Sequence, residues 1–252
     1  MKLITNILTK NECYLAGRTI NVKGVMVHST GAKNKKVSRY VQPNIDGIGK
    51  NLFGNHWNRK GVKKCVHAFI GELADGSIAT VQTLPWEHRG WHGGGTSNNT
   101  HIGFEICEDN LKSKEYFDKV YKEAVELTAY LCKMFNLDPL KDGVVICHAE
   151  GYKRGIASNH GDVLHWFPKY GKSMDTFRAD VAKQMNGKEA FESYRVKINT
   201  DVLNVRKGPG TSYAVATTVK RGEVYTIVGE ENGFGKLKSG AGWVSLKYTV
   251  KR

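Results

Sequence analysis

At 252 residues the chain is long enough for one large domain or two unequal ones, with a substantial buried core. A formal net charge of +14 calls for an anionic partner without choosing among nucleic acid, membrane surface and wall polyanions. The five cysteines, Cys13, Cys65, Cys107, Cys132 and Cys147, are odd in number and widely spaced with no C-x-x-C, which excludes a disulfide scaffold and a thiolate zinc cage and points to a reducing compartment.

No stretch approaches the roughly 20 apolar residues of a membrane span. Residues 1–10 hold no uninterrupted apolar segment of signal-peptide length, so synthesis is expected in the cytoplasm. After a polar lead-in, Gly24-Val25-Met26-Val27-His28 reads as a buried strand that ends on a histidine. Lys33-Asn34-Lys35-Lys36 is a solvated charge run, and Asn55-His56-Trp57-Asn58 suits either a loop over a sugar or peptide or a packing role. Val66-His67-Ala68-Phe69-Ile70 alternates as a strand, and Asp75-Gly76-Ser77 is a hairpin turn into a partner over 78–82. Residues 85–95 then collect Trp86, His88, Trp91, His92 and Gly93-Gly94-Gly95, where glycines let backbone approach a ligand closely. His67, Trp91 and His92 are expected to position substrate.

Ile102-Gly103-Phe104-Glu105-Ile106-Cys107 is another strand, with Glu105 on the face opposite Phe104. Apolar residues at three- and four-residue steps predict a long helix over 114–135, ended before Pro139. Val144-Val145-Ile146-Cys147 is a second short apolar strand delivering a histidine, His148, and a polar loop through His160 and Asp162 folds back over it. A last helix is expected over 174–185, and a linker over 187–193. Beyond it the pattern changes to short β runs punctuated by Gly and Pro, as in a small barrel. From Tyr194 onward 11 Lys and Arg stand against 4 Asp and Glu, a difference of +7, which marks this part as a docking element.

Two strands ending in histidines, with an acid a loop away, are how a protein assembles a zinc site from distant segments. A hydrolytic zinc takes three protein ligands and leaves one position for water, whose pKa drops to roughly 7. His28 and His148 supply two; Asp162 is the expected third, with His160 as competitor. If Asp162 binds, His160 faces the substrate and stabilises the oxyanion. Glu105 is the first candidate for general base and Glu150 the second.

Val27-His28-Ser29-Thr30-Gly31, Val66-His67-Ala68-Phe69-Ile70, Gly90-Trp91-His92-Gly93-Gly94, Ile102-Gly103-Phe104-Glu105-Ile106 and Cys147-His148-Ala149-Glu150 occur in the order that resembles zinc-dependent N-acetylmuramoyl-L-alanine amidases of the bacteriophage-lysozyme and peptidoglycan-recognition type, over about residues 22–183. The resemblance implies an α/β unit, a mixed central sheet flanked by helices. It implies one catalytic Zn2+ and hydrolysis of the amide between the lactyl group of N-acetylmuramic acid and L-alanine. On this pattern His28 and His148 are ligands, Glu105 the base, Asp162 the cysteine-or-aspartate ligand, and His160 stands where many members carry a catalytic lysine. The loop from His148 to Asp162 is longer than in the shortest members, and a histidine in place of that lysine makes activity more pH-sensitive near neutrality.

Residues 194–248, through Leu203-Asn204-Val205-Arg206-Lys207-Gly208-Pro209-Gly210 and Gly242-Trp243-Val244, resemble bacterial Src-homology-3-like wall-binding domains. The expected organisation is therefore a catalytic domain over 1–186, a linker over 187–193 and an all-β wall-binding domain over 194–252. The expected partners are bacterial peptidoglycan and its anionic wall polymers, as for a phage endolysin or an autolysin. Without an export address, such a protein would need a holin-like partner to reach the wall. The rivals are a non-catalytic peptidoglycan receptor and a wall endopeptidase or glycosidase; no recognition motif supports nucleic-acid binding.

Overall fold

Apolar runs separated by turn residues form six strands in the N-terminal part of the chain: β1 (Leu3–Thr5), β2 (Gly24–Lys33), β3 (Ala68–Glu72), β4 (Ile78–Gln82), β5 (His101–Glu108) and β6 (Val145–Cys147). Among the described residues four α-helices accompany them: α1 (Glu12–Leu15), α2 (Lys114–Met134), α3 (His148–Lys153) and α4 (Met174–Asn186). The computed structural model describes residues 1–41, 47–187 and 193–252. Its chain divides into two units, Met1–Asn186 and Gly187–Arg252. Most of the expected linker, residues 188–192, lies outside the described residues.

The sheet of the first unit runs β1-β4-β3-β5-β2-β6. Only β3 and β4 pair antiparallel; every other neighbour is parallel. The hairpin between β3 and β4 turns on Gly76 at φ +83°, with the Asp75 carboxylate accepting from Ser77 N–H at 2.9 Å. Alternation then sorts the strands' side chains. Val25, Val27, Ala68, Ile70, Ile102, Phe104 and Ile106 pack with Phe117, Val120 and Leu127 of α2 and with Phe177 of α4. On the other face Phe69, Val81 and Cys107 pack with Val37, Tyr40 and Trp57 from loops. The long helix therefore covers one face. The residues with chemistry, His28 and Glu105, belong to the other.

Helix α2 starts at Ser113, whose hydroxyl caps Tyr116 N–H at 3.1 Å. It stops one residue short of the expected end because Phe135 leaves helical geometry and Asn136 turns at φ +52°. Strand β3 begins at Ala68 rather than Val66, and the histidine before it has a role the sequence did not reveal. His67 is fully buried: its Nδ1 accepts from Gly103 N–H at 3.0 Å and its Nε2–H donates to the His88 carbonyl at 2.8 Å. The expectation that His67 positions substrate does not fit this placement, since both ring nitrogens are spent on tying three segments together. Among the described residues no helix is long and apolar enough to cross a membrane.

The second unit holds β7 (Tyr194–Ile198), β8 (Val202–Arg206), β9 (Val215–Lys220), β10 (Val224–Glu231), β11 (Phe234–Leu237), β12 (Trp243–Ser245) and β13 (Thr249–Lys251). They form one antiparallel sheet in the order β13-β7-β10-β11-β12-β8-β9. Alternate residues Val196, Ile198, Leu203, Val205, Val219, Ile227, Leu237 and Val244 make its core. Gly242, at φ +139°, lets the chain pass the Arg206 carbonyl, which would lie 2.3 Å from any Cβ there.

Burial pushes the His67 imidazole down to about 4, so the folded chain refuses a proton that the unfolded chain takes up below about 6.5. The unfolded state binds more protons between those values, so stability rises with pH across the window and is lost on acidification. Denaturant titrations from pH 7 to pH 4.5 should show stability falling by up to about 1.4 kcal/mol per pH unit for this one group, and His67→Gln, less stable at pH 7, should show a shallower slope. A wild-type midpoint flat across that range would overturn the assignment.

Candidate metal centre

Strand register assembles the site. His28 of β2 is the direct partner of Glu105 on β5, and Glu105 is the partner of Phe69 on β3. Partners in register point to the same face, so His28, Glu105 and Phe69 form a row across three strands. On the other side of β2, Val27 pairs with Cys147, which sets the next residue, His148, beside His28 at the start of α3. The loop after α3 returns to bring Asp162 over both: its carbonyl accepts from Ala149 N–H at 3.4 Å.

The contacts converge. The Asp162 Oδ2 lies 3.1 Å from His28 Nδ1 and 3.8 Å from His148 Nδ1, and the two Nδ1 atoms are 3.1 Å apart. Among the described residues, His28, His148 and Asp162 are the group of ligand atoms close enough together to hold a metal ion. His28 and His148 are buried and Asp162 is half-buried.

The far nitrogens decide what these near ones can do. The His101 carbonyl can only accept, so His92 Nε2, at 3.1 Å, carries the proton. Burial first, then the charges of His28 and His67, push the His92 imidazole well below its ordinary value, so its Nδ1 is a bare acceptor. His28 Nε2 at 3.0 Å must then donate to it. His148 Nε2 lies 3.2 Å from the Ser158 hydroxyl, which in turn donates to the Gly93 carbonyl at 3.3 Å. Both Nε2 atoms thus hold the protons, and both Nδ1 lone pairs face each other beside a carboxylate. Two acceptors at that distance have nothing to share but a cation. Two imidazole nitrogens and one carboxylate oxygen are a donor set that suits zinc.

Glu105 is the complementary group. Its Oε2 is buried without a hydrogen-bond partner among the described residues. Burial, and then the nearby charges of Asp162 and Glu108, push its carboxyl well above the usual range. The Asp162 carboxyl goes the other way: burial alone would raise it, but the two imidazoles beside it, His28 foremost, outweigh that and lower it. The two acids of one site are thereby pushed apart in proton affinity. Glu150, the second candidate base, is otherwise engaged. It accepts from Cys147 N–H at 3.1 Å and is clamped by the Arg178 guanidinium at 3.1–3.2 Å. It caps α3 and holds α4 against it.

His160 is exposed, its ring 4.7 Å from that of His148, at the outer side of the centre. Trp91 is also exposed, with the Arg89 guanidinium 5.4 Å from its ring. His92 does not reach outward to a substrate as expected; it stands behind His28. The sequence reading missed Gly103, Asn98 and Ser158. A Cβ on Gly103 would lie 2.3 Å from His92 Nδ1, and the buried Asn98 amide oxygen accepts from His92 and Gly93 N–H at 2.9 Å each. The signal that was available is the glycine two residues before Glu105 on the same face.

Fold and site together define an α/β unit whose parallel strands present a His-His-Asp group beside a buried acid. The family described as N-acetylmuramoyl-L-alanine amidase matches residues 18–166, and the chain belongs to that family. Residues 201–250 match the bacterial SH3 domain. YrvJ of Bacillus subtilis (strain 168), provisionally named an N-acetylmuramoyl-L-alanine amidase, is 44% identical over 50 residues, which is 19% of this chain and 10% of that protein. The chain thus spans about a tenth of that relative's length. Among solved structures, the Staphylococcus aureus hydrolase AmiA in complex with its ligand is similar at 17% identity and a TM-score of 0.52, over 73% of this chain and 83% of that one. The PlyG catalytic domain is similar at 18% identity and a TM-score of 0.50, over 76% and 98%. Both share the fold.

The proton chain behind His28 makes a specific prediction. His92→Leu should weaken zinc binding about 10- to 100-fold, measured by competition with a chromogenic chelator, whereas His92→Asn, whose Oδ1 takes the place of Nδ1, should retain most of it. Equal affinities in both variants and the wild type would remove His92 from the site.

Proposed function

We propose that this protein hydrolyses the amide between the lactyl group of N-acetylmuramic acid and the L-alanine of the peptidoglycan stem, with Zn2+ held by His28 Nδ1, His148 Nδ1 and Asp162. The observation that carries the reading is the Glu105 carboxylate in register with His28, its Oε2 buried without a partner among the described residues, beside three convergent donor atoms that have no proton to share. Bound there, zinc would act as a Lewis acid on the amide carbonyl and make water nucleophilic at neutral pH.

The chain's own groups do the rest. Glu105 takes a proton from the attacking water as the new C–O bond forms. Its raised affinity for protons makes it a competent donor to the leaving nitrogen as the C–N bond breaks, so L-alanine leaves as a free amine and the lactyl group as a carboxylate. His160, at the outer side of the centre, donates toward the carbonyl oxygen as it gains negative charge. Burial of Glu105 keeps competing hydrogen-bond partners away from the carboxylate. The second unit, basic and all-β, serves to hold the enzyme on the anionic wall, where one docking contact raises the local substrate concentration for the other unit.

Glu105→Gln should keep stoichiometric zinc and lose at least about 100-fold in kcat on purified walls; near-wild-type turnover would reassign the base. Metal analysis and chelation separate the enzyme from a receptor: EDTA should abolish release of L-alanine amino groups without new reducing ends appearing, and zinc should restore it. A chain ending at Gly187 should cleave soluble muropeptide at the full-length rate yet sediment poorly with intact walls. Undiminished sedimentation would remove the docking role from the second unit.

A further inference from the structure

The row of partners that runs from His28 to Glu105 continues to Phe69, and from there into a cluster of rings. Tyr40 stacks on Phe69 at 4.5 Å between centroids, and Trp57 meets Phe69 and Tyr40 edge-on at 5.0 and 5.7 Å. Tyr40 and Trp57 form part of the wall of a cavity of about 380 Å3 that is also lined by Thr30, Arg39, Arg59 and Lys64. The lining carries three cations and no acid. The Lys64 ammonium stands 4.9 Å from the Trp57 ring centre and the Arg39 guanidinium 5.6 Å from that of Tyr40. Arg59 is steadied by its Nε–H, which donates to the His56 carbonyl at 2.8 Å. None of the three makes an ion pair with an acid among the described residues.

Three positive side chains gathered at one cavity repel one another unless an anion joins them. The cavity lies on the Glu105 side of the centre: Lys64 draws the Glu105 carboxyl down against its burial, and Tyr40 rests on Glu105's neighbour Phe69. In the proposed reaction Glu105 hands its proton to the leaving amine, so this is the side toward which the peptide departs.

We propose that this cavity is a subsite for a carboxylate of the stem peptide, held by Arg39, Arg59 and Lys64 above the Tyr40–Trp57 wall. The inference rests on the amidase reading and adds to it a selectivity: the enzyme distinguishes stems that carry a free carboxylate near L-alanine from stems in which it is a carboxamide. Arginine pairs with a carboxylate through two parallel hydrogen bonds, and an amide, neutral and with one oxygen only, satisfies the same cations poorly.

The test uses the full-length zinc-loaded chain and soluble muropeptides whose stem carboxylates are converted to carboxamides one at a time. One conversion should lower kcat/KM about tenfold or more, chiefly through KM, as expected for losing a charge-assisted contact. In Arg59→Gln and Lys64→Met the ratio of carboxylate to carboxamide kcat/KM should fall toward 1, and Lys64→Arg should restore it. Brisk cleavage with equal rates for every muropeptide overturns the subsite and leaves the amidase reading standing. Absence of amide cleavage overturns the amidase reading instead; calorimetry with the free stem peptide then decides the subsite by itself, because equal affinity for its carboxylate and carboxamide forms overturns it and tighter carboxylate binding lost in Lys64→Met supports it.

Discussion

Parallel pairing of β2 with β5 on one side and β6 on the other is the constraint on which the catalytic unit depends. Val27 opposite Cys147 and His28 opposite Glu105 leave no freedom in where the two imidazoles and the carboxylate stand. A slip of one residue would turn His28 and Glu105 into the apolar layer under α2 and bring Val27 and Phe104 to the open face. The large apolar contact between that layer and α2 therefore holds the chemistry in register.

Hydrogen-bond direction is the second level of control. A backbone carbonyl, which cannot donate, sits at the end of the chain from His101 through His92 to His28, and another at the end of the chain from Gly93 through Ser158 to His148. Each makes the histidine at the other end, His28 or His148, bare its Nδ1 toward Asp162. Glycines make this arrangement possible by giving the second layer room: Gly103 admits the His92 ring where any side chain would collide. Electrostatics then separates the two acids, one lowered beside two imidazoles and one raised by desolvation.

The second unit follows different physics. Its strands are short, its core is a handful of alternating aliphatic residues, and its surface is strongly basic. Among the described residues, none of its His, Cys, Asp or Glu side chains form a group that could hold a metal ion. Its match is to the bacterial SH3 domain, a different family from that of the first unit.

Much of this was legible in the residues. Period-two alternation located β2, β4 and β5, the three-and-four repeat located α2 almost to the residue, and the change to short β runs separated the two units, because each pattern reports a local preference or a buried face. The histidines at the strand ends, the acid in the returning loop and Glu105 opposite Phe104 were also readable, since strand alternation alone says which face a residue takes. Local pattern cannot say what lies behind a residue. His67 and His92 looked like cleft residues by composition, yet one ties buried segments together and the other stands behind His28. Glu105 ranked ahead of Glu150 by its strand face, but the pattern could not show that Arg178, 28 positions from Glu150 in sequence, holds that second candidate. The sequence by itself determined the elements, their faces and the set of groups able to do chemistry. Only the tertiary structure decided which histidines converge on Asp162, which histidine stands behind one of them and which acid keeps an oxygen without a hydrogen-bond partner among the described residues, because those placements depend on hydrogen-bond partners and desolvation contributed by segments far apart in the chain.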